Sequence, residues 1–193
     1  MSGNRDGEKP SAENHSRRKF IKLGLMAAGS LAIPGSAMAG LWVVPKRERF
    51  LSFYNLHTGE SLRVVYFEKG SYISDALDEI NHILRDFRQN EIKPIDPNLL
   101  DLLVRVRERL DTSASFNVIS GYRSPKTNAM LHANSEGVSR HSLHMDGRAI
   151  DISVPGRDLE MVHRAALALH GGGVGYYPKS DFVHVDTGRV RYW

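Results

Sequence analysis

Two stretches in the C-terminal third of the chain carry residue types at spacings suited to hydrolytic chemistry. The first, Ser142-Leu143-His144-Met145-Asp146-Gly147-Arg148-Ala149-Ile150-Asp151, has the form Ser-x-His-x-x-Gly-x-Ala-x-Asp. Side chains of a strand alternate between its faces, so Ile150, Ile152 and Val154 take the core side and Ala149, Asp151 and Ser153 the other. There a carboxylate beside small residues borders a cavity, and a buried carboxylate needs a counter-charge. His144 lies seven residues earlier, separated by a glycine that permits a tight turn, so it can return to share a cation with Asp151. A His–Asp pair is also a common structural device; the second stretch adds to it. In Ser180-Asp181-Phe182-Val183-His184-Val185-Asp186-Thr187-Gly188, Val183 and Val185 take the apolar side of a strand and leave Phe182, His184 and Asp186 facing the other way. A His2Asp set from two strands is thus available. Two neutral imidazoles and one carboxylate suit divalent zinc and leave a fourth position for water, the composition of a catalytic site.

Composition narrows the alternatives. The 193 residues, 41% hydrophobic and 25% charged, suffice for one ordinary domain with a core. With no cysteine there is no disulfide framework, thiolate zinc site, iron–sulfur cluster or cysteine nucleophile, so any metal rests on His, Asp or Glu. The sequence Gly171-Gly172-Gly173-Val174-Gly175 lacks the Gly-Lys-Ser/Thr of a phosphate loop and reads as a helix C-cap running into a turn.

The N-terminal region reads as an address. Ser16-Arg17-Arg18-Lys19-Phe20-Ile21-Lys22, followed by an apolar run from Leu23 to Ile33, resembles a twin-arginine export signal, and Ala37-Met38-Ala39 supplies an A-x-A cleavage site. The expected organisation is a signal over 1–39 and a domain over 40–193, located in the periplasm after passage through the twin-arginine translocation machinery. The whole chain has 26 basic and 22 acidic residues; residues 1–39 hold 6 and 3 of them, leaving 20 and 19. The nearly neutral remainder has no basic stripe with interleaved aromatics, which argues against a nucleic-acid partner. Nothing in the sequence specifies an oligomeric state.

The elements that must position the site follow from periodicity. Phe50–Leu56 and Leu62–Phe67, flanking a turn-like His57-Thr58-Gly59-Glu60, predict a hairpin. Apolar residues at helical spacing predict a helix over 74–90, N-capped by Ser74 or Asp75, and a second near 97–111 opened by Asp96-Pro97, with Arg105, Arg107 and Glu108 on a solvated face. Beyond residue 115 the pattern predicts a strand at Phe116–Ser120, a short helix at Pro125–Ala133, a strand at Ala149–Val154, a helix at Arg157–His170, and closing strands at Gly173–Tyr177 and Phe182–Asp186. Strands and helices do not alternate regularly, so the expected fold is α+β, an antiparallel sheet flanked by helices.

Ser142 through Asp151 resembles the signature of the LAS metallopeptidases, which include lysostaphin-type endopeptidases, D-Ala-D-Ala carboxypeptidases and the hedgehog fold. More closely, the chain is similar to the MepK-type murein endopeptidases. Asn55–Glu60, Leu84–Arg88, Gly121–Pro125, Gly172–Tyr177 and Phe182–Gly188 match that family in order. The resemblance implies a zinc ion on His144, Asp151 and His184, and Arg123, with Ser142, on the substrate side. The carboxypeptidase branch places an acidic residue three positions before its last zinc His, which falls on Asp181, where many relatives have Glu. Asp186 is the competing base, sharing a strand face with His184. A branch with His two positions before the last ligand is not matched, because Phe182 stands there. His141 reads as a pocket-wall or surface residue, and His57, His82, His132, His163 and His170 as structural or exposed. The implied substrates are peptidoglycan stem peptides and their cross-links, especially those joining two diaminopimelate residues. Removal of a terminal D-alanine is the enzymatic alternative, and a non-catalytic peptidoglycan- or zinc-binding module the other.

Overall fold

The computed structural model describes residues 48–134 and 137–193; the expected export signal at 1–39 lies outside the described residues. Eight strands form one sheet in the order β3-β2-β1-β4-β5-β7-β6-β8. They are β1 (Arg49–Asn55), β2 (Ser61–Glu68), β3 (Ser71–Tyr72), β4 (Phe116–Ser120), β5 (Ala149–Ser153), β6 (Gly173–Tyr177), β7 (Phe182–Asp186) and β8 (Arg191–Tyr192). The helices are α1 (Ser74–Ile83), α2 (Pro97–Arg109), α3 (Pro125–Asn134) and α4 (Leu159–Leu167). The fold is α+β, but the sheet is mixed rather than antiparallel: β1 runs parallel to β4, and β6 parallel to β8. The first pair follows from the long connection through β2, α1 and α2, which returns the chain to the same end of the sheet before β4 begins.

One apolar core lies between sheet and helices. Leu99, Leu103 and Val106 of α2 are fully buried, as are Leu51 and Phe53 of β1, Ile150 and Ile152 of β5, and Val183 and Val185 of β7. Each such side chain contributes roughly 1.5–3 kcal/mol through burial. Helix α2 opens as its sequence demands: the Asp96 carboxylate accepts the amide of Asn98 at 2.9 Å, and Pro97 occupies the first turn, where its missing N–H costs nothing.

Two local expectations are corrected. Helix α1 ends at Ile83 rather than near 90, and its N-cap is Ile73, with Asp75 in the first turn. The early stop comes from Asp86, whose buried carboxylate accepts the amide of Arg88 at 3.0 Å and turns the chain into a bridge with Glu91. Phe87, inside the span expected to be helical, stacks instead on His57 at 4.4 Å between ring centres. Arg107 is not on a solvated face. Its guanidinium sits 3.9 Å from the Phe50 ring centre and donates to the Phe50 carbonyl, so the long aliphatic stem is buried against β1.

Candidate metal centre

The site lies on one face of the central strands. In the antiparallel pair β5/β7, Asp151 stands directly opposite His184 and Ala149 opposite Asp186; in β6/β7, Gly175 faces His184 and Tyr177 faces Phe182. Side chains on directly opposed residues share a face. The alternation that sends Ile150, Ile152, Val183 and Val185 into the core therefore delivers Asp151, His184, Asp186 and Tyr177 to the opposite surface.

His144 arrives from a different element. It lies in a single 3-10 turn, Leu143–Asp146, that starts at Ser142, whose hydroxyl accepts the His144 amide at 3.4 Å, and stops at Gly147. Gly147 has φ +67°, and a Cβ there would collide with the Pro94 carbonyl, so only glycine turns the chain from His144 into β5. The side chain of Ser142 thus shapes the turn while also lining the cleft described below.

The donor set converges. His144 Nε2 lies 3.2 Å from Asp151 Oδ1 and 3.2 Å from His184 Nδ1, and His184 Nδ1 lies 2.8 Å from Asp151 Oδ1. All three residues are buried, with their candidate ligand atoms within 4.8 Å of one another. Each imidazole has a fixed partner on its outer nitrogen: His144 Nδ1 donates to the Gly121 carbonyl at 2.7 Å, and His184 Nε2 donates to Asp186 Oδ2 at 3.0 Å. Those bonds select the tautomers that turn both unprotonated nitrogens toward Asp151, the outer-shell arrangement found around metal-ligating histidines. Two imidazole lone pairs and a carboxylate oxygen meeting in a buried pocket fit a divalent cation, and nitrogen and oxygen donors of this kind fit zinc.

Electrostatics follow from packing. Burial pushes the His144 pKa down, against the opposing pull of Asp151. Burial would also lower that of His184, but the Asp151 and Asp186 carboxylates on either side of the ring favour its charged form, outweigh burial and raise the value. Burial alone would raise the Asp151 pKa; the neighbouring His144 and His184 hold the carboxyl well below the ordinary range.

The remaining expected residues separate clearly. Arg123 is buried in the loop after β4, donating from Nε to Ser120 Oγ and from Nη2 to Asp151 Oδ2, both at 3.0 Å. It lines the cleft with His144, Asp151 and His184. Asp186 lies behind His184, on its outer nitrogen, fully buried. Its Oδ1 accepts the amides of Gly173 and Gly188 at 2.9 and 2.8 Å, and Arg191 donates to both oxygens. The parity that put it on the face of His184 holds, but the imidazole stands between it and the converging nitrogens. Asp181 is exposed in the turn between β6 and β7, at φ +52°, flanked by Ser180 and Phe182, which line the cleft. His141 is exposed and lines the same cleft.

Two contributors were not legible as functional. Asp86 accepts the Ser124 amide and hydroxyl at 2.9 and 2.7 Å, tying down the loop that carries Arg123 and the Gly121 carbonyl. Its only signal was its place within Leu84–Arg88. The glycine run is the other: helix α4 is followed by His170 at φ +49° rather than by a glycine cap, while Gly173 and Gly175 lie inside β6, the strand expected at Gly173–Tyr177. A Cβ on Gly175 would fall 2.7 Å from the Trp193 indole, which packs beside His184 at 5.3 Å between ring centres. The run leaves room on the site face for side chains arriving after β7.

A buried His2Asp cluster on one face of a mixed sheet, with an arginine loop beside it, fits an LAS-type peptidase scaffold. The family model described as "Peptidoglycan L,D-endopeptidase MepK" (Peptidase_M15_2) matches residues 44–193, and the chain belongs to that family. It is 46% identical over 177 residues to the "Peptidoglycan L,D-endopeptidase MepK" of Escherichia coli (strain K12), covering 92% of this chain and 96% of the relative. It is 39% identical over 181 residues to the "Probable peptidoglycan L,D-endopeptidase MepK" of Haemophilus influenzae, covering 93% and 96%.

Proposed function

We propose that the protein is a zinc-dependent murein endopeptidase that hydrolyses an L,D peptide bond in the cross-links of peptidoglycan. The observation that carries the reading is the convergence of His144 Nε2, Asp151 Oδ1 and His184 Nδ1 at the floor of a cleft of about 560 Å³. Family membership over nearly the whole domain supplies the substrate class.

His144, Asp151 and His184 would hold the zinc ion, which when bound polarises the scissile carbonyl and acidifies a water molecule. The chain's own residues do the rest. Gly121 and Asp186 fix the two imidazoles so that both ligand nitrogens face inward. Arg123, already anchored on Ser120 and Asp151, orients a substrate carbonyl or carboxylate with the part of its fork turned to the cleft. Asp181 accepts the proton of the attacking water: its carboxylate is exposed between Ser180 and Phe182 of the cleft wall, whereas the oxygens of Asp186 are taken by backbone amides, Arg191 and His184. Arg17 and Arg18 direct export to the periplasm, so Arg17→Lys with Arg18→Lys should retain the protein in the cytoplasm.

The test is digestion of purified muropeptide dimers and tetrapeptides with and without a chelator, with products identified by mass spectrometry. Chelator-sensitive conversion of dimers to monomers supports the reading. Loss of terminal D-alanine alone would assign the carboxypeptidase activity instead, and unchanged dimers and tetrapeptides in the presence of zinc would leave a binding module.

A further inference from the structure

Strand β6 presents Gly173, Gly175 and Tyr177 in alternation on the site face, with Gly175 opposite His184 and Tyr177 opposite Phe182 of β7 and the Gly173 amide donating to the Asp186 carboxylate. The two glycines clear the surface for Arg191 and Trp193. Trp193 is held by its backbone, which exchanges hydrogen bonds with β6 through the Tyr176 amide and the Val174 carbonyl at 3.0 and 3.2 Å. Its ring lies beside His184, and its Nε1 donates to the Tyr177 hydroxyl at 2.7 Å. The Tyr177 ring is fixed from its other side by stacking on Phe182, 4.5 Å between centres and 20° from parallel.

An indole N–H is only a donor, so the Tyr177 oxygen is the acceptor in this pair. The phenolic hydrogen must then point elsewhere, and among the described residues no hydrogen bond takes it. Tyr177 lines the cleft together with Arg123, His144, Asp151 and His184. A rigid hydroxyl whose oxygen is already engaged, at the wall of a hydrolytic cleft, is a preorganised donor.

We propose that Tyr177 donates a hydrogen bond to the reacting carbonyl oxygen, strengthening as that oxygen becomes negative in the tetrahedral intermediate, and that Trp193 positions it. This rests on the endopeptidase reading. Water adds to the carbonyl carbon and gives its proton to the base; the C–N bond then breaks and the leaving nitrogen takes a proton. The phenolic proton stays on Tyr177 throughout. Such an interaction is made mainly in the transition state, so its loss falls on kcat rather than KM.

The experiment compares the full chain with Tyr177→Phe and Trp193→Phe, measuring kcat and KM on a muropeptide dimer, zinc content, and affinity for a phosphinate dipeptide mimicking the tetrahedral intermediate. Tyr177→Phe should keep its zinc and its KM, and lose roughly 10²-fold in kcat, the usual effect of removing one such donor. Its phosphinate affinity should fall by a similar factor while affinity for the cleaved product is unchanged. Trp193→Phe should shift kcat in the same direction by less, because it deletes the N–H that aims the hydroxyl and keeps a ring. A Tyr177→Phe enzyme with wild-type kcat, or a loss confined to KM, overturns the inference. If Tyr177→Phe does not fold, unchanged kcat in Trp193→Phe does so. A wild type that leaves dimers intact overturns the functional reading and this inference together, whereas a cleaving wild type with an unimpaired Tyr177→Phe overturns the inference alone.

Discussion

Asp151 and His184 occupy directly opposed positions on β5 and β7, with Oδ1 and Nδ1 2.8 Å apart, so two of the three converging donors are set by the register of one antiparallel pair. A one-residue slip of β7 would send His184 to the core face and leave Asp151 without it. His144 reaches the same point from a tight turn, and its place depends on Gly147 and Gly121 rather than on the sheet.

Replacing any one of His144, Asp151 or His184 by alanine should abolish both bound zinc and muropeptide hydrolysis, because two protein ligands seldom retain a divalent ion against dilution. Metal content after dialysis, measured beside turnover, checks this. A His144→Ala protein that keeps stoichiometric zinc and cleaves would refute the assigned site.

The two aspartates near His184 should behave differently. Asp181→Asn should retain zinc and lose roughly 10²–10⁴-fold in turnover, the range for a general base. Asp186→Asn should weaken zinc binding by about 10–100-fold, as expected of a carboxylate that orients a ligand imidazole. Zinc titration of the two variants distinguishes a proton acceptor from a support.

Asp86 should couple acid stability to the Arg123 loop. Burial alone would raise its pKa, but the hydrogen bonds donated around it lower the value below that of the unfolded chain. A carboxylate with a depressed folded value contributes stability above the unfolded pKa of about 3.9 and loses it as pH falls through the folded one. Asp86→Ala should therefore cost about 1–3 kcal/mol near neutral pH, through the orphaned Ser124 donors, and flatten the melting-temperature profile below pH 4. Thermal melts between pH 2 and 7 test both parts.

Gly147→Ala should be among the most damaging single changes outside the donor set. Its left-handed φ of +67° costs an alanine roughly 1–2 kcal/mol, and the collision with the Pro94 carbonyl adds to it. Chemical denaturation should show a loss of about 2 kcal/mol or more, accompanied by reduced zinc retention, since the same turn carries His144. Wild-type stability in this variant would contradict the close approach.

Strand alternation is a local property, so the sequence alone could sort Ile150, Ile152, Val183 and Val185 from Asp151, His184 and Asp186, and place Asp96-Pro97 at the start of a helix. The His/Asp motif and its neighbours were enough to indicate the family. Periodicity said nothing about which strand lies beside which, and so it missed the parallel pairs β1/β4 and β6/β8. For the same reason it put Asp186 beside His184 without revealing that it grips the imidazole's far nitrogen, and put Gly173 and Gly175 in a strand without revealing that they are clearance for Arg191 and Trp193. The burial of Arg107 and the grip of Asp86 on Ser124 likewise depend on partners 57 and 38 residues away. Side-chain direction within a strand follows from covalent geometry; the atoms that each side chain meets are decided only when distant segments close on one another.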